Sequence, residues 1–193
     1  MLTRCVVSLV VLLGFIQVAA TQQDTAPKPY SDKDAYDVYN VLLATEAHGE
    51  STIAIQQETV PELGLCIAPE VTQRFNDAIA DYYRINAKKW LLQRNFASAA
   101  YEILDSKTLQ MLLQNDQESF YKRFPSGHYV MMSAVGFSKD RQRAIVYFGS
   151  ACGIVCGKWS LRLLEKSDEK WHEVPGVTCE TVSLCGSPSA GPI

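Results

Sequence analysis

The run Arg143-Ala144-Ile145-Val146-Tyr147-Phe148-Gly149 decides the fold class, because Ala144, Val146 and Phe148 alternate against Arg143, Ile145 and Tyr147 as in a half-buried strand. On its amino side Tyr129 to Ser138 reads as another strand, joined through Lys139 to Gln142. On its carboxyl side Lys158 to Lys166 reads as a third, with Trp159, Leu161 and Leu163 set against Ser160, Arg162 and Lys166. Ser167-Asp168-Glu169-Lys170 then turns the chain into a fourth strand at Trp171 to Val174. Short links between successive strands predict an antiparallel meander of about four carboxyl-terminal strands. One face is apolar enough to receive a helix, whereas the face with Arg143, Tyr147, Arg162 and His172 is mixed and expected to meet solvent.

Upstream, the hydrophobic period becomes helical. Ser31 is expected to cap a helix with Asp32 and Asp34 in its first turn and Ala35, Val38, Tyr39 and Leu42 as its buried stripe. Ser51 to Thr59, with Ile53 and Ile55 alternating, reads as a strand stopped by Pro61. Pro69 opens the strongest helix, whose Val71, Phe75, Ala78, Ile79, Tyr82 and Ile85 form one apolar face predicted to lie across the sheet. A short strand at Ala100 to Leu104 follows, then a helix capped by Ser106 with Leu109, Met111, Leu112 and Leu113. A second short helix starts near Gln117, carries Phe120, Tyr121 and Phe124, and stops at Pro125. The fold class is therefore α+β, a meander packed by a long amphipathic helix with extra short helices.

The amino end reads as an export signal. Arg4 supplies positive charge, Cys5 to Val18 is mostly apolar, and Val18-Ala19-Ala20 offers small residues before Thr21-Gln22-Gln23. The apolar run is shorter than a membrane span and interrupted, so no stable span is expected after processing. The expected organisation is a signal peptide over residues 1–20, an exposed leader over 21–30, one domain over 31–182, and a disordered Ser-, Pro- and Gly-rich tail over 183–193. The 193-residue chain carries 18 Lys+Arg and 21 Asp+Glu, a net of −3. Losing Arg4 with the signal makes the balance 17 − 21 = −4. Mild acidity argues against nucleic acid as a partner. The localisation expected is periplasmic or secreted.

Five cysteines follow the signal: Cys66, Cys152, Cys156, Cys179 and Cys185. In an oxidising compartment the economical pairing is Cys152 with Cys156 and Cys179 with Cys185, which leaves Cys66 single; a link from Cys66 to a distant cysteine is the alternative. The spacing in Cys152-Gly153-Ile154-Val155-Cys156-Gly157 has three residues between sulfurs and strands on either side. A thioredoxin-type motif has two and opens a helix, and a zinc site needs closely spaced ligands beyond His172, so a structural bridge is the reading.

Catalytic patterns are sparse. His48, His128 and His172 sit in no metal-helix motif. His172 and Glu173 are strand neighbours that point to opposite faces. Gly136-Phe137-Ser138-Lys139-Asp140 lacks the closing glycine and following helix of a nucleophile elbow. Asp77 and Asp81 share a helix face that reads as solvated. Gly149 and Gly153 match no phosphate-binding fingerprint, and no cofactor is expected. Tyr82, Trp90, Phe96 and Tyr101 are the candidate pocket lining, where a helix over a curved sheet would enclose a cavity.

Phe120-Tyr121-Lys122-Arg123-Phe124-Pro125, Val135-Gly136-Phe137-Ser138, Ala144-Ile145-Val146-Tyr147, the cysteine loop and Leu163-Leu164-Glu165-Lys166 with Trp171 resemble a family of uncharacterised exported bacterial proteins. Asn86-Ala87-Lys88-Lys89-Trp90 and Leu92-Gln93-Arg94-Asn95-Phe96 are similar to theirs too, which extends the likeness over most of residues 30–174. It implies export and a single domain, and it transfers no site residue. The helix-over-sheet arrangement also resembles nuclear transport factor-like and cystatin-like cone folds, a likeness of fold only. The expectation for function is an exported non-enzymatic domain, a binding or envelope-associated module whose ligand or envelope partner is unknown. The alternative is a hydrolase-type enzyme using His172 with a carboxylate from elsewhere in the fold.

Overall fold

A computed structural model describes residues 26–46, 52–61, 67, 69–97, 100–152 and 156–175, with only the backbone described for 70, 152 and 156. Along the chain the strands are β1 (Lys28–Tyr30), β2 (Ile53–Gln56), β3 (Trp90–Leu92), β4 (Tyr101–Leu104), β5 (Tyr129–Met132), β6 (Gly136–Phe137), β7 (Arg143–Cys152), β8 (Cys156–Ser167) and β9 (Lys170–Glu173). The helices are α1 (Lys33–Glu46), α2 (Pro69–Arg74), α3 (Asn76–Asn86), α4 (Ser106–Asn115) and α5 (Gln117–Arg123). A seven-stranded sheet runs β4-β2-β5-β7-β8-β9, with β6 also on β7. β2 is parallel to both β4 and β5, and β5, β7, β8 and β9 pair antiparallel in turn. A separate parallel pair joins β1 to β3.

Both faces of the sheet are covered. Ala144, Val146, Phe148, Leu164 and Trp171 meet Tyr36, Val38, Tyr39, Leu42 and Leu43 of α1 on one side. Ile145, Tyr147, Leu161 and Leu163 meet Val71, Phe75, Ala78 and Tyr82 on the other. Each fully buried aliphatic or aromatic side chain here contributes roughly 1.5–3 kcal/mol relative to exposure. The face expected to be solvated is thus the one that receives α3. Arg162 also changes sides: it pairs with Val146, so it stands on the α1 face, away from Arg143.

The single long helix from Pro69 is two helices. Phe75, with φ −105° and ψ 12°, leaves helical geometry between α2 and α3 and sinks its ring to 0% exposure. Backbone hydrogen bonds still cross the break, from the Phe75 N–H to the Val71 C=O at 3.0 Å and from the Ile79 N–H to the Phe75 C=O at 2.9 Å, so the apolar face stays continuous. Two caps move by one residue. Asp32, not Ser31, accepts the Ala35 N–H at 3.4 Å, and Asp105, not Ser106, accepts the Thr108 N–H at 2.8 Å. A carboxylate there also complements the helix dipole. The expected exposed leader ends before Tyr30, which is 4% exposed, accepts the Val135 N–H at 3.0 Å and passes its backbone C=O to the Tyr36 hydroxyl at 2.8 Å.

β5 and β6 are two halves of one strand. Met132 pairs with Phe148 and Gly136 with Ile145, so three residues, 133 to 135, face two on β7. That one-residue bulge bends the strand towards α3. Among the described residues no helix is long and apolar enough to cross a membrane.

Candidate functional site

Hairpin register builds the site. Arg143 at the start of β7 lies opposite Glu165 of β8, and Glu165 lies opposite His172 of β9. The three side chains therefore stand side by side on one sheet face. Over that row comes Arg74, in the last turn of α2. Its Nη2 donates to Glu165 Oε2, while Arg143 Nε donates to Glu165 Oε1 at 3.2 Å. One carboxylate is held between two guanidinium groups.

Two cavities open beside this pair. The larger, about 490 Å³, is lined by Arg74, Arg143, Glu165, His172 and Glu173 with the turn around Ser167. The smaller, about 370 Å³, shares Arg74 and Arg143 and adds Asn76, Asp77, Ser138 and Asp140. In the smaller cavity Ser138 Oγ donates to Asp140 Oδ1 at 2.5 Å, and the Gln142 N–H donates to the same oxygen at 3.0 Å. The hydrogen bond from Ser138, then the one from Gln142, holds the Asp140 carboxyl below its usual range. Ser138 also accepts the Arg143 N–H at 2.9 Å, so its hydroxyl shapes the turn.

The other sequence candidates are placed apart. Tyr82 is buried with the α3 side of the sheet, whereas Trp90, Phe96 and Tyr101 pack with the α1 side. Phe96 and Tyr101 meet edge to face at 5.0 Å, and the Trp90 indole donates to the Ile85 C=O at 2.9 Å. Tyr82 and Phe96 are buried in the core, and Trp90 and Tyr101 are partly buried against it. Asp81 is not simply solvated: it accepts the Phe137 N–H at 3.0 Å, and Asp77 meets Lys139 at 3.5 Å. Gly149 makes room for Trp159, whose ring would lie 1.9 Å from an added Cβ. His128 Nδ1 lies 3.4 Å from Ser150 Oγ on the surface. Cys152 and Cys156 are backbone partners across the β7–β8 hairpin. Their side chains, His48, Cys66, Cys179 and Cys185 lie outside the described residues. Among the described residues, no cluster of three or more His, Cys, Asp or Glu has the geometry to hold a metal ion.

Arg74 and Glu165 escape the sequence reading. Folding the hairpin about position 154 sets Arg143 opposite Glu165, a signal present in the sequence. Arg74 has no such signal, because its place depends on where α2 docks.

No family model matches the chain, and comparison with curated proteins and with solved structures finds no match.

Proposed function

We propose that the protein is an exported binding domain whose ligand seat is the two-lobed groove around Arg74 and Arg143. The observation that carries this reading is the convergence of α2, β7, β8 and β9 on one polar hollow, with Arg74, Arg143, Glu165 and His172 gathered on it. Its volume falls in the range of small-molecule sites, while its lining residues are mostly polar where those of most such sites are apolar, which suits a polar ligand. Both oxygens of Glu165, the carboxylate beside His172 in the row, are engaged by arginines. Among the described residues no hydrogen bond joins His172 to that carboxylate, which favours binding over turnover.

Export rests on Arg4, the apolar run to Val18 and the small residues before Thr21. The directly opposed Cys152 and Cys156 support a bridge that closes the hairpin, since cross-strand neighbours have the short Cα separation a disulfide requires. Mass spectrometry of the exported protein without reduction tests both: a chain beginning near Thr21 with these two thiols resistant to alkylation is expected. An intact precursor with both thiols alkylated would remove export from the proposal.

Crystals soaked with a mixed set of small polar fragments test the seat. Fragments should collect in the groove of the wild-type chain and disappear from it in Arg143→Ala. Occupancy only elsewhere on the surface would sink the reading. His172 lines the larger lobe, which keeps hydrolysis as a second reading. Turnover of p-nitrophenyl acetate that vanishes in His172→Ala would move the site from binding to catalysis.

A further inference from the structure

The groove already holds one carboxylate as a ligand's would be held. Glu165 gives one oxygen to Arg74 and the other to Arg143, from two elements that reach it independently. Each guanidinium has five N–H donors, and Glu165 uses one from each. Donors enough for a second oxyanion remain on both.

Most of the charges around it are held by partners of their own. Glu173 is taken by Arg162 at 2.5 Å, Asp77 by Lys139 at 3.5 Å, and Lys166 by Glu169 at 3.4 Å. Asp140 is turned into its own loop by Ser138 and Gln142. With Asp140 counted beside Arg143, the charges lining the two lobes balance, Arg74, Arg143, Lys139 and Lys166 against Glu165, Glu173, Asp77 and Asp140.

Building on the groove as ligand seat, we infer that it recognises a small ligand through a carboxylate, which bridges Arg74 and Arg143 in competition with Glu165. Glu165 is then a built-in stand-in. A planar carboxylate, with one oxygen for each guanidinium, meets the geometry that Glu165 now occupies. His172, next along the row from Glu165, lies where the rest of such a ligand would extend.

The test is an NMR titration of the isotope-labelled full chain with succinate, run beside chloride at matched ionic strength, inorganic phosphate and neutral acetamide. Succinate should shift the Arg143, Glu165 and His172 resonances saturably, beyond anything chloride does. Glu165→Gln, which keeps the shape and removes the competing charge, should bind succinate several-fold more tightly, as the loss of one partly exposed charge contact predicts. Arg74→Gln, at a half-exposed position, should lose the response while keeping the spectrum of the folded protein. Phosphate binding more tightly than succinate would overturn the carboxylate assignment. So would acetamide shifting these resonances while succinate acts only as chloride does, although the groove would stand as a ligand seat. No response in the groove to any probe, in the wild type or in Glu165→Gln, would overturn both.

Discussion

Asn86 holds Ala134 by both of its backbone polar groups. Asn86 Nδ2 donates to the Ala134 C=O at 3.0 Å, and the Ala134 N–H donates to Asn86 Oδ1 at 2.8 Å. The side chain is buried at 2% exposure and stands in for the sheet partner that the bulge between β5 and β6 removes. Ser133 supports it from within the bulge, accepting the Tyr147 N–H at 2.9 Å, while Tyr39 donates to the Ser133 C=O at 2.7 Å. A side chain on α3 and another on α1 thus close the same gap from opposite faces.

Asn86→Ala strips Ala134 of both partners in a dry environment, and the expected loss of stability is about 2–3 kcal/mol. Asn86→Asp keeps an acceptor for the Ala134 N–H but sets an oxygen against the Ala134 C=O, so it should be no better. Urea unfolding with a shared slope checks this. A change below about 0.5 kcal/mol in both variants would show that water replaces the amide without loss.

Gly136→Ala should be worse tolerated than its single methyl suggests. A Cβ at Gly136 would lie 2.4 Å from the Tyr82 backbone N and 2.5 Å from the Ala78 C=O. Both are helix backbone, which cannot rotate away, so α3 must lift off β6. Overpacking of this kind costs typically about 1–3 kcal/mol, and backbone contact places the variant at or above the top of that range. Thermal melts of wild type and variant measure it, and equal midpoints would contradict the close approach.

Alkaline pH should unfold the protein through its tyrosines. Burial pushes the Tyr39 phenol well above its usual value of 10.0, with Tyr30 and Tyr36 raising it further. Burial likewise raises Tyr30, against the opposing hydrogen bond from Val135. In the unfolded chain these phenols lose protons near pH 10 while the folded state retains them, so the folded state binds more protons above that pH. Their contribution is fully present below about pH 10 and is lost as the pH rises beyond it. Tyr39→Phe should cost about 1–2 kcal/mol at neutral pH, because the Ser133 C=O loses its donor, yet its urea midpoint should fall less steeply between about pH 10 and 11.5. Parallel curves for both proteins would assign the alkaline loss to other groups.

The strands from Tyr129 to Glu173 and the helices at Lys33–Glu46, Ser106–Asn115 and Gln117–Arg123 are legible in the sequence, because alternation and helical spacing are local properties. So is the register that sets Arg143 against Glu165, since a short hairpin loop leaves few alternatives. Local pattern does not say which face a helix will cover. Ile145 and Tyr147 alternate with Ala144 and Val146, and either set can be core until helices arrive on both sides. Nor does it say that β2 will insert between β4 and β5, a parallel pairing that joins segments far apart in the chain. The break at Phe75 and the placement of Arg74 over Glu165 lie beyond local pattern, because both depend on where α2 and α3 dock on the sheet. Local order was written in residue spacing; the groove exists only because long-range packing brought α2 down onto β8.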